Sequence, residues 1–170
     1  MHTAEHDARY WIKKLNLQVY PKGGCFRESY RSAGQIPAEA LPEGFAGLHA
    51  FSTAIYFLLE GEQFSPLHRL KADEVWHFYA GNGLTIHMFH PDGGYTSAAL
   101  GPDPDQGQAF QVVVPAGCWF GATLDQPGSY CLAGCTVAPG FEVSDFEPAD
   151  RQTLVLQYPA QRALIEHLTG

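Results

Sequence analysis

Ser65-Pro66-Leu67-His68-Arg69-Leu70-Lys71-Ala72-Asp73-Glu74-Val75-Trp76-His77-Phe78-Tyr79-Ala80-Gly81 is the stretch on which the reading of this chain turns. Two strand-like runs, 65–70 and 74–80, flank the charged turn Lys71-Ala72-Asp73. Side chains alternate faces along a strand, so His68 and Leu70 share one face, and Glu74, Trp76 and Phe78 share another. Pairing of the two runs would gather an imidazole, a carboxylate and an aromatic wall. These are the ingredients of a small-molecule site.

Outward from this stretch, short β-rich runs recur between Gly, Pro, Asp and Asn punctuation. They cover 25–31, 52–59, 84–90, 95–100, 110–114, 119–124 and 130–137, and 141–146 reads as a last extended segment. Gly81-Asn82-Gly83 has the composition of a tight hairpin turn. Helical spacing is confined to the ends. Residues 3–15 form an amphipathic pattern that Thr3 can cap, and 149–157 and 160–168 follow on either side of Pro159. Nine to eleven short strands with regular turns predict an all-β sandwich or barrel, one domain spanning 1–170, with short terminal helices outside it.

Bulk properties exclude several functions. The chain has 170 residues and a net charge of −8, and its ten Lys and Arg are scattered. A nucleic-acid binder needs a basic patch, so no nucleic acid is expected as partner. No run approaches the roughly 20 apolar residues of a membrane span. The polar N-terminus does not read as a signal peptide. Cys25, Cys118, Cys131 and Cys135 contain no CxxC pair and suit reduced thiols, so the expected location is the cytoplasm. Cys131 and Cys135 share a strand face and read as core. His2, His6, His49, His90 and His167 read as surface residues.

The spacing His68-x5-Glu74-x6-Gly81 resembles the first motif of the cupins, with Leu70 where a second histidine usually stands. Gly107, Pro115 and Gly117 fit the second motif, with Phe120 and Leu124 in place of its histidine and asparagine. Closer still is the fifth cupin family, a domain of unknown function. Its stretches are similar to Gly23-Gly24-Cys25-Phe26-Arg27-Glu28, residues 52–59, His68-Arg69-Leu70, residues 73–81, Val113-Val114-Pro115-Ala116-Gly117 and residues 134–141. In the family's usual opening, Tyr20, Lys22 and Cys25 replace His, Glu and Tyr. The resemblance implies a single jelly-roll barrel, often a homodimer, distantly like the nucleotide-sugar 3,5-epimerases of rhamnose synthesis. It supplies no established reaction.

Cupin enzymes usually hold a metal on three His and one Glu. By matched position only His68 and Glu74 remain as ligands, so no metal and no cofactor is expected. Proton transfer becomes the leading chemistry, and a small-molecule ligand the expected partner. An imidazole beside a carboxylate in an apolar cavity can move a proton. His68 is the candidate base, oriented and made more basic by Glu74, and Tyr56 is the candidate acid. Arg27 and Glu28 follow two glycines, and the arginine fork suits a carboxylate or phosphate. Trp76, Phe78 and Phe120 are candidate walls, and His87 and Gln111 are further candidates for contact with the ligand. The expected function is a metal-independent isomerase or epimerase acting on a small polar or sugar-derived metabolite. The alternatives are a metal enzyme with a reduced ligand set, a binding protein without turnover, and a His68–Glu74 pair that only braces the fold.

Overall fold

The computed structural model describes residues 6–21 and 23–170. In chain order these form helix α1 (Ala8–Lys14) and strands β1 (Gln18–Val19), β2 (Cys25–Arg31), β3 (Gln35–Ile36), β4 (His49–Ala50), β5 (Thr53–Glu60), β6 (Phe64–Arg69), β7 (Glu74–Gly81) and β8 (Leu84–Phe89). There follow β9 (Tyr95–Leu100), β10 (Gln111–Val114), β11 (Trp119–Leu124), β12 (Tyr130–Val137), β13 (Glu147–Pro148), α2 (Arg151–Gln157) and α3 (Arg162–Leu168). Eleven of the strands make a six-stranded sheet, β1-β2-β5-β12-β7-β10, facing a five-stranded sheet, β13-β6-β11-β8-β9, and β3 and β4 pair separately. This is the all-β jelly roll with small helices that the strand spacing and the resemblance both predict.

Two connections differ from expectation. β6 and β7 do not pair, and neither do β7 and β8: in each case the chain crosses from one sheet to the other. His68 and Glu74 therefore stand on opposite sheets of the barrel, not along one ladder. Gly81 makes the second crossing possible. Its φ of +88° is left-handed, and a Cβ there would collide with the Tyr130 carbonyl. The segment 141–146 is also not a strand. It contains a single 3₁₀ turn, Val143–Asp145, that carries Asp145 inward.

Between the sheets lies the main core. Leu59, Leu84, Ile86, Leu100, Phe120 and Ala133 are all essentially inaccessible there. Each large apolar side chain so buried stabilises by about 1.5–3 kcal/mol before entropy is counted. The helices cover the outer faces. α1 and the residues after it set Ala8 and Leu17 against Cys25, Leu58 and Leu132. α2 and α3 set Leu154, Ile165 and Leu168 against Leu67 and Phe89. Asp7 caps α1, accepting from the Tyr10 N–H at 2.9 Å, and Asn16 at φ +52° ends it. The expected Thr3 cap lies outside the described residues. Asp150 caps α2 in the same way through the Thr153 N–H.

Two β-bulges place the residues that matter. In β2, Glu28 pairs with Ile55 of β5 and Tyr30 with Ala54, so Ser29 is the extra residue. Strand parity flips there, and Glu28 and Arg31 both turn to the inner face. In β6, His68 pairs with Phe120 and Ser65 with Ala122, so Pro66 and Leu67 oppose Gly121 alone. Proline lacks a ladder donor and is tolerated at such a site.

Candidate active site

Three rows of paired residues cross the inner face of the six-stranded sheet. Arg31, Thr53, Val137 and Glu74 form the row at the barrel's end. Glu28, Ile55, Cys135 and Trp76 form the second, and Phe26, Phe57, Ala133 and Phe78 the third. Across from them stand Ser65, Pro66, His68 and Leu70. The cavity between them opens to one side and has a volume of about 470 Å³ and mostly apolar walls. Phe141, Glu142, Val143 and Phe146 complete it as a strap over one side.

His68 is held by its own bulge. The Pro66 carbonyl can only accept, so the 2.7 Å contact fixes a proton on Nδ1. In the neutral ring Nε2 is then the basic nitrogen. Aromatic rings flank the imidazole: Phe120 at 4.2 Å between centroids and Phe146, nearly parallel, at 4.9 Å. Pro66 and these rings thus orient the imidazole.

Glu74 is buried on the same cavity, 8% exposed. Burial pushes its carboxyl up to about 7, opposed by the Cys135 thiol and the Trp76 indole, which favour the charged form. The Trp76 N–H completes no hydrogen bond, so it acts on the carboxyl as a nearby dipole. Glu74 is therefore a carboxyl poised between acid and base near neutrality.

This raised pKa has a measurable consequence. The ordinary value is 4.5, so the folded chain holds this proton more tightly than the unfolded chain. The group's contribution to stability is greatest below the ordinary value and falls as pH climbs to about 7, a span of roughly 3 kcal/mol. Comparison of urea midpoints at pH 5 and pH 8 should show this slope in the native protein and lose most of it in Glu74→Gln. Equal slopes in the two proteins would refute the assignment.

At the rim, Arg31 donates from Nε and Nη2 to the two Glu28 oxygens, each at 2.9 Å, and from Nη1 to Glu142 at 2.9 Å. Nη2 also donates to the Phe141 carbonyl at 2.9 Å. Arg31 was missed in the sequence because regular alternation would set it on the face opposite Glu28. Only the extra residue at Ser29 reverses that.

Of the residues singled out from sequence, His68, Glu74, Trp76 and Glu28 line the cavity, and Phe120 backs it through His68. Five do not. Tyr56 points to the outer face, where Arg27 lies over its ring at 5.7 Å, so it cannot serve as the acid and Arg27 cannot meet the ligand. Phe78 ends the third row and packs into the core beyond the cavity. Gln111 is exposed and reaches outward-facing His77, because Val112 and Val114 take the inner face. His87 also faces outward, bonded to the Tyr95 hydroxyl and to Thr123, with its pKa lowered by burial.

One expectation of a surface histidine fails. His49 is fully buried, its Nε2 2.7 Å from Asp145. Cys118 lies 3.3 Å from His90, and burial pushes its thiol up and away from nucleophilic use. In the family's opening segment Tyr20 does line the cavity, Cys25 packs under α1, and Lys22 lies outside the described residues. Cys131 and Cys135 are core residues as expected.

The residues present do not fit the metal that the fold commonly holds. Leu70 and Phe120 occupy two of the cavity-side positions and cannot ligate. Among the described residues no three His, Cys, Asp or Glu side chains converge on one point. Nor, among them, is any helix long and apolar enough to cross a membrane.

Comparison with known proteins agrees with this architecture. Solved cupins of low identity share the fold: one is an oxalate decarboxylase from Bacillus subtilis, 14% identical, with 89% of this chain covering 36% of that one at a TM-score of 0.54. Nearer relatives match end to end. A protein from Shewanella oneidensis is 39% identical over 97% of this chain and 98% of its own, with a TM-score of 0.84. A hypothetical protein from Leishmania major is 32% identical over 96% and 98%, also at 0.84. Among curated proteins, comparison finds no match to this chain. The sequence profile of the Cupin_5 family, described as Cupin superfamily (DUF985), matches residues 9–149, and with the two full-length relatives this shows that the chain belongs to that family.

Proposed function

We propose that the chain is a metal-independent proton-transfer enzyme of the isomerase or epimerase type, acting on a small metabolite that carries an acidic C–H next to a carbonyl. One observation carries this reading: His68, with Nδ1 protonated and Nε2 basic, shares an apolar cavity with Glu74, whose carboxyl is poised near neutrality. His68 Nε2 takes the proton from carbon. Glu74 in its protonated form gives one to the enolate, at oxygen or at the opposite face of carbon, and the carboxylate left behind recovers a proton from the imidazolium through solvent. Glu74 replaces Tyr56 in the acid's role. The apolar walls exclude water and strengthen the charge interactions that develop. A CH-rich sugar face would suit Trp76 and Phe57, which meet edge to face at 5.7 Å.

The experiment begins with small molecules that copurify with the protein. Returned to the protein in heavy water, a true substrate gains about one mass unit per exchanged position, with or without a strong chelator. A ligand recovered unlabelled would make this a binding protein. Exchange abolished by chelation and restored by one transition metal would instead establish metal chemistry.

A further inference from the structure

The rim and the cavity differ sharply in how they would treat charge, and this bears on the ligand. A guanidinium has five N–H groups. Arg31 already commits four: one from Nε, both from Nη2 and one from Nη1. A planar carboxylate or phosphate is normally gripped by two parallel N–H groups, and no such pair is left. With Glu28 and Glu142 both on this one cation, the rim carries a surplus negative charge. Inside, the ionisable residues near the reaction centre are Glu74 and His68, and Arg27 sits on the wrong face of the sheet to compensate.

We infer that this cavity takes uncharged or cationic ligands and turns away carboxylates and phosphates, and that Glu28 and Glu142 impose the rule by occupying Arg31. The inference rests on the cavity being the ligand site, as in the function proposed above. It separates this chain from nucleotide-diphosphate sugars, whose two phosphates would meet Glu28 and Glu142 at the rim. Like-charge contacts of that kind are strongly discriminating. Relatives that keep the barrel but free the arginine would take anions.

The test uses three probes of one shape, benzyl alcohol, benzylamine and benzoate, with binding measured at neutral pH by ligand-detected NMR up to millimolar concentration. The native protein should bind the alcohol and the amine at least ~10-fold more tightly than benzoate. In the double variant Glu28→Gln/Glu142→Gln, which keeps the shape of the rim and releases the arginine from both anions, benzoate should become preferred over benzylamine. Benzoate bound by the native protein as tightly as benzyl alcohol overturns the charge rule alone, and so does an unchanged order in the variant. Binding of none of the three overturns the assignment of the cavity as the ligand site, and the charge rule with it.

Discussion

His68→Ala is expected to slow solvent exchange into the substrate by roughly 10²- to 10⁴-fold, the range that a positioned general base supplies. The loss should fall on turnover, because the cavity walls stay in place and apolar contacts govern binding. The imidazole does contribute packing between Phe120 and Phe146, so some stability is lost with it. His68→Gln is the control, since it fills most of the volume with no useful basicity. Both variants should be nearly inactive while circular dichroism and the unfolding midpoint stay close to native for the glutamine form. Full turnover in either one would remove His68 as the base and leave Glu74 to act alone.

The largest effect on stability is expected from His49→Ala. The Gly47 carbonyl accepts from His49 Nδ1 at 3.1 Å, and Nε2 meets Asp145 Oδ2 at 2.7 Å, in a place where both side chains are buried. The other Asp145 oxygen already lacks a partner. Removal of the imidazole strands a buried carboxyl, which costs roughly 3–5 kcal/mol. For a chain of this length that lowers Tm by roughly 6–20 °C. Replacement of both residues by leucine should recover part of the loss, because the expense lies in the unpaired group and not in the missing attraction. A single variant within about 1 kcal/mol of native would show the pair to be incidental. Asp145 precedes Phe146, the ring stacked on His68. A destabilised strap should therefore reduce turnover as well.

Much of this architecture was legible in the residues. Turn chemistry and period-two runs set the nine longer strands within a residue of their bounds and missed the two-residue strands β1, β3, β4 and β13, and the fold class followed. What parity could not decide was which face of a strand is inside. β5 is apolar on both faces, with Ile55, Phe57 and Leu59 toward the cavity and core and Leu58 under α1. Strand alternation puts Tyr56 on one face with Ala54 and Leu58, yet nothing in the string says that this face looks outward. Gln111 and His87 failed for the same reason. His49 failed differently: its partner lies 96 residues away, and no local pattern foretells a burial that depends on one distant 3₁₀ turn. Glu28, His68, Glu74 and Trp76 were recoverable because they fall within stretches similar to a known family.

The bulge at Ser29 means that the polarity of the rim is written in strand register as well as in residue type. Were Ser29 taken into the ladder, β2 would pair regularly with β5, and the position opposite Thr53 would fall to Tyr30 in place of Arg31. A rim holding a cation and its two anions would become one holding a phenol, with no change to any other residue. Removal of Ser29 itself would leave Arg31 opposite Thr53, so the register of β2, and not the number of its residues, sets this rim above His68 and Glu74.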